Sequence, residues 1–201
     1  MTQATTVQTF GAFLDEVPAS EEYLALNFSP NSAAARKRRW GNYGLSADFL
    51  GDYFAAFFPG DELPDSKISR KDTVKATVSY IANELLENAV KYSDPSANRP
   101  ISITLHLYER EIIFQVTNYA NQLAIEKYQD FIQELLNSDL EELYTRQLEL
   151  TALGTTLGTG SSNMGLLTMM NDYSARFGWK FQLIPHNPEL IRVTVMVHLD
   201  L

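Results

Sequence analysis

Residues 69–92 read SRKDTVKATVSYIANELLENAVKY, and the pattern of this stretch decides the fold. Val74, Val78, Ile81, Leu85 and Tyr92 recur at three- and four-residue intervals, so the segment is an amphipathic helix whose apolar stripe packs inward. Beside that stripe, Glu84, Asn88 and Lys91 stand at i, i+4 and i+7 and form a polar line. A carboxylate one turn from a carboxamide carries chemistry. Asn88 can offer its amide oxygen to a magnesium ion, and Glu84 can position or deprotonate a hydroxyl or water attacking a terminal phosphate. Lys91 can pair with phosphate oxygens. The same three residues also suit an exposed helix flank kept polar for solubility.

Downstream, 101–108 (ISITLHLY) and 111–118 (EIIFQVTN) are rich in β-branched and aromatic residues. Glu109 and Arg110 alone separate them, the spacing of a hairpin. Tyr128, Phe131, Ile132, Leu135 and Leu136, then Leu140, Leu143, Tyr144 and Leu148, predict two helices interrupted near 137–139. A Gly/Thr/Ser loop at 154–163 (GTTLGTGSSN) runs into a helix at 164–173, and strands at 180–184 and 191–199 close the chain. This order predicts an α+β two-layer sandwich, a mixed and mostly antiparallel sheet covered on one face by helices. Upstream, 46–58 (SADFLGDYFAAFF) predicts an aromatic-rich helix with Ser46 as N-cap and Phe49, Tyr53 and Phe57 at helical spacing. Residues 27–31, 59–64 and 94–100 read as loops. The chain then divides into an N-terminal extension, 1–65, carrying a basic segment and the aromatic helix, and a main domain, 66–201.

The 201 residues, 45% of them hydrophobic, suit one well-cored domain with such an extension. Cysteine is absent, which removes disulfides, thiolate metal sites and cysteine nucleophiles and fits a reducing compartment. His106, His186 and His198 lie far apart and form no metal-ligand spacing. No basic start followed by an apolar run and no bilayer-length apolar stretch is present, so a soluble, cytoplasmic protein away from the membrane is expected. A formal charge of −9 opposes attraction to nucleic acid or anionic lipid. The local exception is Arg36, Lys37, Arg38 and Arg39, followed by Trp40. This cluster reads either as a dock for an acidic partner or phosphate, or as a solvated helix face.

The glycine loop adds a second pointer to phosphate, because glycines let backbone N–H groups approach closely and a following helix N-terminus contributes favourable partial charge. A loop entering a helix for structural reasons alone would look similar. Gly158 and Gly160 match the start of a dinucleotide fingerprint, but Asn163 stands where its third glycine belongs and the preceding stretch reads as a helix. A Rossmann site is therefore not expected.

Residues 83–93 (NELLENAVKYS) resemble the N-box of the GHKL ATPase superfamily, the group of gyrase, Hsp90 and histidine kinases, whose common architecture is the Bergerat or histidine kinase-like ATPase fold. Residues 163–169 (NMGLLTM) resemble the second glycine box of the same families, and the element order agrees over about 67–201. The resemblance implies that Glu84 corresponds to the catalytic base of the anti-sigma kinases and Asn88 to the magnesium ligand. It also implies that Gly158, Gly160 and Gly165 are phosphate-loop positions, with Asn163 opening the glycine box and Mg-ATP as the cofactor. A short domain without a phosphoacceptor-histidine helix pair is closer to bacterial anti-sigma serine kinases and SiaB-type kinases than to histidine kinases. Residues 23–58 resemble cyanobacterial stand-alone regulators of this kind. Such families act by partner switching, binding or phosphorylating a small STAS-domain antagonist. The implied function is a cytoplasmic signalling regulator with a protein partner. Homodimerisation through the 49–58 face is a further expectation.

The departures from the family pattern bear on the chemistry. ATP-binding members end the second hairpin strand in an Asp that accepts a hydrogen bond from the adenine amino group, followed by alternating glycines. Here 116–122 reads VTNYANQ. Asn118 takes the Asp position, and Ala120 and Gln122 replace glycines. Asn118 can still accept through its carbonyl oxygen, but a charge-assisted bond is roughly twice as strong as a neutral one. The side chains at 120 and 122 occupy space where close approach is needed. Two readings follow. In one, the chain binds Mg-ATP weakly and transfers a phosphoryl group to a serine or threonine of its partner; in the other it is a nucleotide-free protein-binding module of the same fold. No dedicated substrate-binding element supports a metabolic ATPase or ligase.

Overall fold

The structure is a computed structural model that describes residues 7–29, 40–60, 68–152, 164–185 and 187–201. Helix α2, Arg70–Tyr92, forms where the apolar periodicity requires it and starts at an N-cap. The Ser69 hydroxyl accepts from the Asp72 backbone N–H at 3.1 Å and donates to Asp72 Oδ2 at 2.7 Å, which ties off the first turn. Val74, Val78, Ile81 and Leu85 are buried as expected, and so are Ala82, Leu86, Ala89 and Val90. The stripe is wide because α2 is the middle layer, with the sheet on one side and α1, Trp40–Ala55, on the other.

Helix α1 begins ahead of the expected start. Ser46 is not its N-cap; it lies inside the helix and its hydroxyl donates to the Asn42 carbonyl at 2.8 Å. The two helices approach closely at Gly51, where a Cβ would sit 2.8 Å from the Lys75 carbonyl oxygen and run into the Ser79 hydroxyl. Tyr43, Ala47, Leu50 and Phe54 fill the rest of this seam. Residues 56–58 leave the helix as a turn, with Ala56, Phe57 and Phe58 N–H groups donating three residues back.

Among the described residues the sheet is six-stranded and antiparallel, in the order β1-β5-β6-β4-β3-β2. Strands β3, Ile101–Leu107, and β4, Glu111–Asn121, make the expected hairpin, closed by Tyr108 N–H donating to the Glu111 carbonyl at 2.9 Å. Strands β5, Arg176–Ile184, and β6, Asn187–Asp200, are longer than their apolar runs suggested. Helices α3, Gln122–Asn137, and α4, Leu140–Ala152, follow β4, and α5, Met164–Asp172, leads into β5. Ile103, Leu105, Phe114, Val116, Trp179, Phe181, Val193 and Val197 supply the helix-facing core. The alternate residues Ser102, Thr104, Gln115, Thr117 and Thr194 form a polar outer face, as the period of two requires.

Both edge strands come from the N-terminal extension and were not expected. Strand β1, Val7–Gly11, joins β5, while β2, Glu22–Phe28, joins β3 at the opposite edge. The linking segment, 12–21, therefore crosses the outer face. Lys180 pairs with Asp15 at 2.7 Å, Leu14 N–H donates to Met196 Sδ at 3.5 Å, and Tyr108 donates its hydroxyl to the Pro18 carbonyl at 2.7 Å. Buried His198 lies 2.9 Å from the Ala12 carbonyl through Nε2 and 3.2 Å from Glu111 Oε2 through Nδ1. The strands were missed because their pairing partners are remote in sequence and residues 27–28, read as loop, complete β2.

Candidate functional site

The polar line on α2 meets α5 at its start. Gly165 lies in the first turn of α5, and a Cβ there would overlap the Glu84 carboxylate, with only 2.7 Å to Glu84 Cδ. Glycine at this position is what lets the acid sit against the α5 backbone. Glu84 is half-buried, and burial, followed by the charge of Glu87, raises its carboxyl above the ordinary value. Glu87 itself accepts from the Asn83 amide at 3.0 Å, so the two acids of this helix face have different surroundings. Tyr80, one turn before Glu84, stacks on Tyr173 with centroids 5.3 Å apart. Its hydroxyl is raised by burial and then by the Glu84 charge, against a hydrogen bond with Thr168.

One turn beyond Glu84, Asn88 enters a cavity between α2 and the sheet, lined by Leu85, Ala89, Val116, Asn118, Leu166 and Met169 among others. Asn118 projects from β4 on the same face as Val116 and Ala120. It is 4% exposed. At the far wall, Trp179 donates its indole N–H to the Tyr128 hydroxyl at 2.9 Å, and Tyr128 stacks on Tyr92 at 6.2 Å. Burial pushes the Tyr128 hydroxyl far up, so it remains protonated.

The structure thus brings Glu84, Asn88, Asn118 and Gly165 to one region. Lys91 is exposed at the end of α2, its Nζ 5.4 Å from the Tyr92 ring centre. Gly158, Gly160 and Asn163 lie outside the described residues, as do His186 and the basic cluster at 36–39. Ala120 is buried in the wall, whereas Gln122 starts α3 and reaches Glu126 at 3.3 Å, away from the cavity. Sequence reasoning missed Tyr92, Tyr128 and Phe177 as wall residues. Tyr128 had looked like one more apolar position of α3, and no local pattern separates such a residue from the core.

The donor set fits the polar edge of a nucleotide. The amides of Asn118 and Asn88 and the close backbone approach at Gly165 are groups that a base, a metal ion and phosphates would engage. The cavity is about 40 Å³, larger than the ~10–15 Å³ that one water needs but too narrow for a purine. Among the described residues, no group of three or more His, Asp or Glu could hold a metal ion, and no helix is long and apolar enough to cross a membrane.

No family model matches the chain, and no curated protein matches it in sequence. Among solved structures, a chain of the SiaB–SiaC complex from Pseudomonas aeruginosa is similar at 15% identity and a TM-score of 0.54. The match covers 89% of this chain and 89% of that one, a span too long to be confined to 66–201. The likeness is one of fold, and it extends into the N-terminal residues.

Proposed function

We propose that this chain is a cytoplasmic signalling regulator that acts on a protein partner by partner switching, using a histidine kinase-like ATPase fold of the GHKL type. The observation that carries the reading is the convergence of Glu84, Asn88, Asn118 and Gly165 from three separate elements. The fold likeness to a chain crystallised in a complex with another protein supports the partner half of it. In this reading Asn118 accepts from the adenine amino group, Asn88 offers its oxygen to magnesium, and Glu84 takes the proton of an attacking serine or threonine hydroxyl on a STAS-type partner. Magnesium would supply charge neutralisation on the phosphates. A carboxyl raised by burial is better matched to proton abstraction near neutral pH. Leu45 and Phe49 on α1 and Phe57 in the turn that follows it, 67%, 50% and 50% exposed, offer an apolar face to a partner or to a second copy. Calorimetric titration with millimolar Mg-ATP tests the cofactor. Saturable heat that Asn88→Ala abolishes supports it, and absence of heat removes it.

A second reading keeps the fold and the partner and drops the nucleotide. It is favoured by the narrowness of the cavity and by the Tyr92–Tyr128 stack at its wall. Absence of Mg-ATP binding together with retained partner binding would establish this version.

A further inference from the structure

Strand β2 lies at a sheet edge, and among the described residues no strand pairs with its outer side. The ladder shows which of its backbone groups point there. Tyr108 N–H donates to the Glu111 carbonyl in the register of the β3–β4 pairing, so the alternate β3 residues Leu107, Leu105, Ile103 and Ile101 turn their N–H and C=O groups toward β2. Their partners Glu22, Leu24, Leu26 and Phe28 answer them. Tyr23, Ala25 and Asn27 therefore direct theirs away from the sheet, and the Tyr23 N–H turns to the Glu22 carboxylate of its own strand at 3.1 Å. Edge strands are ordinarily blunted by lysine, proline or a bulge. Beyond Glu22 at its start, β2 (EYLALNF) carries none of these, and its register is unbroken. The opposite edge differs. Strand β1 is five residues long, ends at Gly11 with φ +62°, and Gln8 on it accepts from the Gln129 amide of α3 at 2.7 Å.

We propose that two copies of this chain pair antiparallel through β2, about a two-fold axis at Ala25. The strand is self-complementary in that register. Ala25 meets Ala25 of the second copy and Tyr23 meets Asn27, each pair exchanging N–H to C=O bonds with groups that point outward. Leu24 then faces Leu26 at the closer, non-hydrogen-bonded spacing, so side chains left half-buried at the edge of each core cover one another. Glu22 faces Phe28, which keeps the two Glu22 carboxylates at opposite ends of the pairing, about 20 Å apart along the strand. One continuous sheet results, and the apolar face of α1 stays open to a different protein. The pairing is independent of the nucleotide reading.

The test is sedimentation equilibrium over a dilution series of the wild type, Ala25→Pro, Ala25→Lys and Phe49→Glu, with circular dichroism to confirm folding. The wild type should form a reversible dimer that Phe49→Glu leaves unchanged. Ala25→Pro deletes both central N–H donors while sparing the β3 ladder, and it should raise the dissociation constant about tenfold or more. Ala25→Lys places like charges directly opposite and should weaken the dimer in the same direction, without touching the backbone should the proline variant fail to fold. A wild type that is monomeric at every concentration overturns the inference. So does a dimer that folded Ala25→Lys leaves intact, or one that Phe49→Glu abolishes, which would put the contact on α1.

Discussion

The carboxylate of Glu84 occupies the space that a side chain at residue 165 would need, so the acid on α2 and the glycine on α5 are sterically matched. This contact joins two segments separated by the hairpin and two helices, and it fixes where the carboxylate sits relative to the start of α5.

Gly165→Ala should displace the carboxylate, the far end of a flexible side chain, and destabilise the fold by about 1 kcal/mol at most. Glu84→Ala in the same chain should recover most of that loss. A double-mutant cycle by urea denaturation measures the coupling, and additive effects would show that the two residues do not meet.

Glu84 also gives stability a pH dependence. Its folded-state carboxyl is raised by burial and by Glu87. Its contribution is therefore complete below the unfolded-state value and is lost as pH rises through the raised one. Glu84→Gln, which mimics the neutral form, should match the wild-type Tm in acid and exceed it at pH 8. An equal Tm difference at both pH values would contradict this account.

The N-cap of α2 makes a prediction of opposite sign. Ser69→Ala should cost about 1 kcal/mol at neutral pH. The Ser69 hydroxyl, followed by its backbone N–H, holds the Asp72 carboxyl below its ordinary value. Stability from this cap is present above the unfolded-state value and falls away as pH drops through the depressed one. The Tm difference between wild type and variant should accordingly narrow in strong acid, leaving the part that comes from the Asp72 N–H bond to the hydroxyl.

Tyr128→Phe leaves the indole N–H of fully buried Trp179 without its acceptor. The expected loss is about 1–3 kcal/mol, the cost of an unsatisfied buried donor. The urea midpoint should fall with an unchanged slope, and an unaltered midpoint would mean that water reaches the indole.

Local sequence was enough for α2, the β3–β4 hairpin and the α3–α4 break, because 3.6-residue and two-residue periodicities are set by backbone geometry and by the need to bury one face. It also singled out Glu84, Asn88 and Asn118, which the structure brings to one region. What only the tertiary structure decided was non-local. The edge positions of β1 and β2 depend on partners far along the chain, and Ser46 was drawn into α1 because Gly51 and Ala47 let that helix settle on α2. The pocket wall of Tyr92, Tyr128 and Phe177 followed from packing between elements. An apolar side chain in a sequence says that it will be buried, but its neighbours are chosen by the register and crossing of whole elements, which no local pattern encodes.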